Sequence, residues 1–76
     1  MTKQAYDIMV KMLKELKEFE DKAKNHFVCI VDIVHFEKPT RDQIKSAYRV
    51  AGYSESAAVM ETSKLIYIEK SFKSKN

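Results

Sequence analysis

Thr40-Arg41-Asp42-Gln43-Ile44-Lys45-Ser46-Ala47-Tyr48-Arg49-Val50-Ala51-Gly52-Tyr53-Ser54-Glu55-Ser56-Ala57-Ala58 is the stretch that decides the fold. Thr40 and Gln43 form a capping box: the threonine hydroxyl accepts from the Gln43 N–H, and the glutamine side chain reaches back. Pro39 disfavours helix at Lys38, so whatever precedes it ends there. The helix that follows puts Ile44, Ala47, Tyr48 and Ala51 on one face. Gly52 stops it by supplying a left-handed residue. Ser54 then opens the next helix as its N-cap, with Glu55 placed well for the helix dipole. That helix runs through Ala58, Thr62, Leu65 and Ile66 to about Ile68, after which the chain frays or extends. Two helices joined by a short glycine-containing turn describe a helix-turn-helix. Ala47, Ala51 and Ala58 are small where the two helices must approach.

Upstream, residues 3–24 carry a 3/4-spaced stripe of Tyr6, Met9, Leu13, Leu16, Glu20 and Ala23, with Met12 and Phe19 beside it. Lysines and glutamates fill the other faces, and Glu18–Lys22 and Glu20–Lys24 are favourable i,i+4 pairs. The pattern predicts one long amphipathic first helix over 1–24. Its apolar stripe serves either as core or as a homodimer seam through residues 6–23. Residues 26–36 read two ways. Their β-branched content suits a strand, as in a winged-helix variant, whereas Phe27, Ile30, Val31 and Val34 fit helix spacing. A buried helix is the reading adopted. The fold expected is a single all-α domain over 1–76, with about four helices.

The composition agrees. A chain of 76 residues that is 45% apolar and 33% charged folds as one small domain. The single Cys29 excludes an internal disulfide and fits a reducing compartment. The longest apolar run, residues 27–31, is far short of the about 20 residues a membrane span needs. No apolar signal-peptide core follows the first residues. These features predict a soluble, cytoplasmic protein (host cytoplasm if viral) that does not engage a membrane. The net charge is +3, and the segments 1–38 and 39–61 are each neutral. The whole excess comes from Lys64, Lys70, Lys73 and Lys75 against Glu69, so residues 69–76 read as a basic tail. Such a tail hooks phosphate backbone or an acidic partner, or is simply solvated.

The run Ala47-Tyr48-Arg49-Val50-Ala51-Gly52-Tyr53-Ser54, then Ala58 and Ser63-Lys64-Leu65-Ile66, resembles the small subunit of bacteriophage terminases. That family carries an AxxAGYS turn followed by Ala and then Ser-basic-Leu-Leu along the next helix. The resemblance is concentrated in residues 47–66. It implies a helical DNA-binding module in which helix 55–68 faces the duplex. Tyr48 stands where the family usually has a second alanine and Thr62 where it often has glycine, which predicts a looser or rotated helix crossing.

Stepping 100° per residue from Ala58 keeps Thr62 and Leu65 on the buried face. Ser56, Met60, Ser63, Lys64 and Tyr67 gather opposite. This face has no Asn, Gln or Arg for bidentate base readout. With Arg41, Lys45, Arg49, Lys70 and Lys73 available for phosphates, it predicts double-stranded DNA binding with low sequence discrimination and strong salt dependence. The same Met60/Tyr67 face also suits a host protein partner. His26, Cys29, Asp32 and His35 recur every third residue, but that spacing drifts 60° per step and sets the two histidines on opposite sides of a helix, so no metal site is expected. Cys29 is expected to be buried and structural, and Asp32 with His35 to form a local pair. With a lone Gly52 there is no phosphate loop. Neither enzymatic activity nor a cofactor is expected.

Overall fold

The computed structural model describes residues 1–18 and 23–74 and is all-helical. The four helices are α1 (Lys3–Glu18), α2 (Ala23–Glu37), α3 (Arg41–Val50) and α4 (Glu55–Ser74). Helix α1 packs on α2 and α3, and α4 packs on α3 and α2, so each helix touches two others in a closed ring.

The local signals around α3 operate as read. Thr40 Oγ1 accepts from the Gln43 N–H at 3.2 Å, and Gln43 Oε1 accepts from the Thr40 N–H at 2.9 Å. Gly52 lies at φ 104°, in the region that favours glycine. Ser54 Oγ accepts from the Ala57 N–H at 3.2 Å, capping α4. Lys38, squeezed between the end of α2 and Pro39, takes a positive φ of 49° while its N–H still bonds the Val34 carbonyl at 3.0 Å.

One expectation is corrected at the first helix, which is not continuous over 1–24. It is described over Lys3–Glu18, and Ala23 already belongs to α2. His26 Nε2 donates to Glu15 Oε1 at 2.6 Å. In one straight helix, residues eleven apart would sit about 16 Å from each other, so the chain has turned back on itself. The apolar faces of α1 and α2 cover one another. Phe19, Glu20 and the pairs Glu18–Lys22 and Glu20–Lys24 fall outside the described residues. Thr2 caps α1 through its Oγ1, which accepts from the Ala5 N–H at 3.1 Å, and the Thr2 N–H donates to Glu37 Oε1 at 3.0 Å. That bond ties the start of α1 to the end of α2.

Residues 26–36 are helical, and no strand occurs among the described residues, so the winged-helix variant is not the architecture. Ile30, Val31 and Val34 join Met9, Val10 and Leu13 of α1, Ile44, Ala47 and Tyr48 of α3, and Ala58 and Leu65 of α4 in one core. Met9 and Leu13 are fully buried within a single chain, as the core reading of their stripe requires. Cys29 is not buried. It is exposed, because it lies about 150° around α2 from the Ile30/Val31/Val34 side. Phe36, 76% exposed, shares that outer side. His35 does not depend on a local pair with Asp32, since its Nδ1 reaches across to Glu69 Oε1 of α4 at 2.9 Å. Of the two outcomes left open beyond Ile68, the chain extends: residues 69–74 are the last turns of α4, and Glu69 bonds α2.

Tyr48 and Thr62, the two departures from the terminase pattern, are both core residues at 2% and 1% exposure. Tyr48 meets Tyr53 edge-to-face with ring centroids 5.0 Å apart. Thr62 Oγ1 is buried without a hydrogen-bond partner. Among the described residues, no helix is long and apolar enough to cross a membrane.

Candidate nucleic-acid interface

Helix α4 buries Ala58, Thr62 and Leu65 and turns Ser56, Met60, Ser63 and Tyr67 outward; all four are exposed, Met60 by 57% and Tyr67 by 73%. At 100° per residue these four fall within a band about 60° wide. Lys64 flanks one edge of it and Lys70 the other, and both are exposed. The wheel drawn from the sequence left out Val59. It is 45% exposed on the same side as Ser56 and Ser63. Its signal was its position, about 100° from Ala58, which is too far round to reach the core.

Helix α3 contributes a row of cations at four-residue spacing, and each reaches α4 or the turn before it. Arg41 Nη1 donates to Ser63 Oγ at 2.8 Å, Lys45 Nζ pairs with Glu55 Oε1 at 2.7 Å, and Arg49 Nη1 donates to the Tyr53 carbonyl at 2.9 Å. The three side chains therefore line the α3 border of the α4 face, which sequence spacing alone did not establish. Lys73 lies in the last turn of α4, and its side chain is outside the described ones.

The electrostatics of the face are local. The hydrogen bond and charge of Lys45 hold the Glu55 carboxyl below its ordinary range. Lys64 approaches Glu61 at 3.7 Å, a loose i,i+3 contact. Exposed pairs of this kind are screened by water and contribute little, so a phosphate can displace the carboxylate. Beneath the turn, burial and then the charge of Glu61 raise the Tyr53 hydroxyl pKa, and the same causes raise that of Tyr48 much further. Both phenols are neutral at physiological pH. Tyr53 uses its hydroxyl to donate to the Leu13 carbonyl at 3.4 Å, and Lys17 Nζ donates to the Gly52 carbonyl at 2.6 Å. Helix α1 thus fixes the turn that sets the α3–α4 pair.

Elsewhere, an open cleft of about 440 Å³ lies between the starts of α1 and α3, lined by Met1, Lys3, Tyr6, Asp42, Gln43 and Ser46. The Tyr6 and Ser46 hydroxyls share a 3.0 Å hydrogen bond across it. Among the described residues no group of three or more His, Cys, Asp or Glu side chains is placed to hold a metal ion. The two histidines each face a glutamate of another helix, Glu15 for His26 and Glu69 for His35.

Compared with known protein families, curated proteins and solved structures, the chain matches none of them.

Proposed function

We propose that this chain is a non-enzymatic helix-turn-helix protein of phage or mobile-element type, binding duplex DNA through α4 with low sequence discrimination. The observation that carries the reading is the arrangement of cations around one exposed helix face. Arg41, Lys45 and Arg49 border it on α3, and Lys64 and Lys70 flank it on α4. The resemblance of the turn motif to that of terminase small subunits supports the same reading. In such a complex α4 lies in the major groove while the cations contact phosphates on either side. The lysines of residues 69–76 extend the electrostatic reach along the backbone.

Fluorescence anisotropy with a labelled duplex tests this. Five phosphate contacts give a slope of log K against log salt of about −4.5, so affinity falls about 500-fold between 50 and 200 mM salt. Lys64→Ala and Lys70→Ala each flatten that slope by about 0.9. No binding at 50 mM salt removes the proposal.

A second reading has its own observation. Val59, Met60 and Tyr67 form an apolar exposed set on the same face, and methionine and aromatic side chains are enriched at protein interfaces. On this reading the chain binds and blocks or adapts a host protein machine. Capture of a single host protein that survives nuclease treatment and is lost in Tyr67→Ala would favour it.

A further inference from the structure

We propose that α4 reads DNA through the 5-methyl group of thymine, so that its sequence preference follows the placement of major-groove methyls. This rests on the DNA-binding reading above and specifies what the recognition face detects. Recognition helices present their first turns to the base edges. In α4 those turns expose Ser56, Val59, Met60 and Ser63, with Val59 45% and Met60 57% exposed.

The hydrogen-bonding options are removed one by one. Helix α4 contains no Asn, Gln or Arg to make bidentate contacts with adenine or guanine, and Lys64 and Lys70, which could reach guanine, lie outside the edges of the exposed band and are assigned to phosphates by the reading above. Arg41, the nearest guanidinium, donates to Ser63 Oγ from the border of the face. Glu55, which could accept from the cytosine amino group, lies about 110° around α4 from the middle of the Ser56/Met60/Ser63/Tyr67 band, on the α3 border beside Lys45. Serine hydroxyls bond donors and acceptors alike and discriminate little. What remains is apolar surface, and the one apolar feature on the major-groove edges is the thymine methyl. The cations on both flanks of the face supply charge complementarity for a polyanion, which is why the occupant of this apolar surface is a duplex. Burying one methyl against Val59 or Met60 changes affinity about fourfold, and two methyls change it about 15-fold.

The test compares four duplexes by anisotropy at 50 mM salt: one A·T-rich sequence with thymine or with deoxyuridine, and one G·C-rich sequence with cytosine or with 5-methylcytosine. The expected result is 4- to 15-fold tighter binding of each methylated member. The double variant V59S/M60Q keeps helix propensity nearly constant at two exposed sites. Its affinity for the methylated duplexes should fall 4- to 15-fold, to the level of their unmethylated counterparts, while the salt slope and the thermal unfolding curve stay as in the parent. Binding that is equal for thymine and deoxyuridine, and equal for cytosine and 5-methylcytosine, overturns this inference and leaves the DNA-binding reading standing. Failure to bind any of the four overturns both. A methyl preference that persists in V59S/M60Q also overturns the assignment to this face.

Discussion

Replacing Thr62 with valine keeps the shape of the side chain and removes a hydroxyl that nothing in the core bonds. Thr62 is 1% exposed, sits between the fully buried Ala58 and Leu65 on the inner face of α4, and its Oγ1 has no partner. In proteins, burying a hydroxyl without a hydrogen bond costs about 1–3 kcal/mol. Threonine and valine have similar helix propensities, so the backbone contribution nearly cancels. Thr62→Val should therefore stabilise the fold by about 1 kcal/mol, taking the low end because the new methyl must also fit a packed core. For a chain of this size that raises the melting temperature by about 4–8 °C. Thr62→Ser is the counterpart. It keeps the orphaned hydroxyl and deletes the methyl, which should destabilise by about 1 kcal/mol. Urea unfolding followed by far-UV circular dichroism measures both, provided the m-value is unchanged. Loss of stability in Thr62→Val, at or beyond the loss in Thr62→Ser, would show that the hydroxyl is bonded in solution and refute the account of this helix crossing.

Gly52→Ala should destabilise by about 1–2 kcal/mol in the same assay, because φ is +104° while the added Cβ meets only Lys17 Nζ at an ordinary 3.6 Å; a neutral result would show that the turn relaxes. Tyr48 predicts an alkaline limit. Burial and then the charge of Glu61 raise its folded pKa above the ordinary phenol value of 10.0, so its contribution to stability is complete below about pH 10 and falls as pH rises through the folded pKa. Tyr48→Phe should lose its share of that decline, up to about 1.4 kcal/mol per pH unit, and an unchanged slope would assign the limit elsewhere. Glu55→Gln removes a carboxylate that competes with phosphate for Lys45 and should tighten DNA binding several-fold with the salt slope still about −4.5; unchanged affinity would place Lys45 away from phosphate. Since Met9 and Leu13 are buried within one chain, light scattering should report a monomer even at high concentration, whereas a dimer that Leu16→Glu dissolves would restore the seam through residues 6–23.

The legible parts of this chain were those governed by short-range chemistry. Thr40, Gln43, Gly52 and Ser54 act through bonds to residues three or four positions away, so their spacing alone announces them. The buried face of α4 was legible for a related reason: Ala58, Thr62 and Leu65 obey one helical period. Helix α2 was harder. Its apolar residues nearly surround the helix, and composition could not say which of them the other helices would cover. Cys29 and Phe36 were left outside because α1 and α4 lie against the Ile30/Val31/Val34 side.

The end of the first helix was invisible to the periodicity, since an apolar stripe can continue across a break that tertiary packing requires. The same limit applied to the polar groups. Spacing suggested His35 with Asp32, whereas the fold brings Glu69 from 34 residues away. The fold also decided between fraying and extension after Ile68, since Glu69 anchors the end of α4 on α2.

By itself the sequence determined an all-helical domain, the position and chemistry of the helix-turn-helix, and a surplus of positive charge toward its carboxyl end. Those follow from local propensity, capping and counting, which need no knowledge of distant neighbours. Only the tertiary structure decided that α1 and α2 fold against one another, which side of α2 is core, and that Arg41, Lys45 and Arg49 border the exposed face of α4. Each of those depends on contacts between segments far apart in the chain, where packing and charge choose among patterns that are locally equivalent.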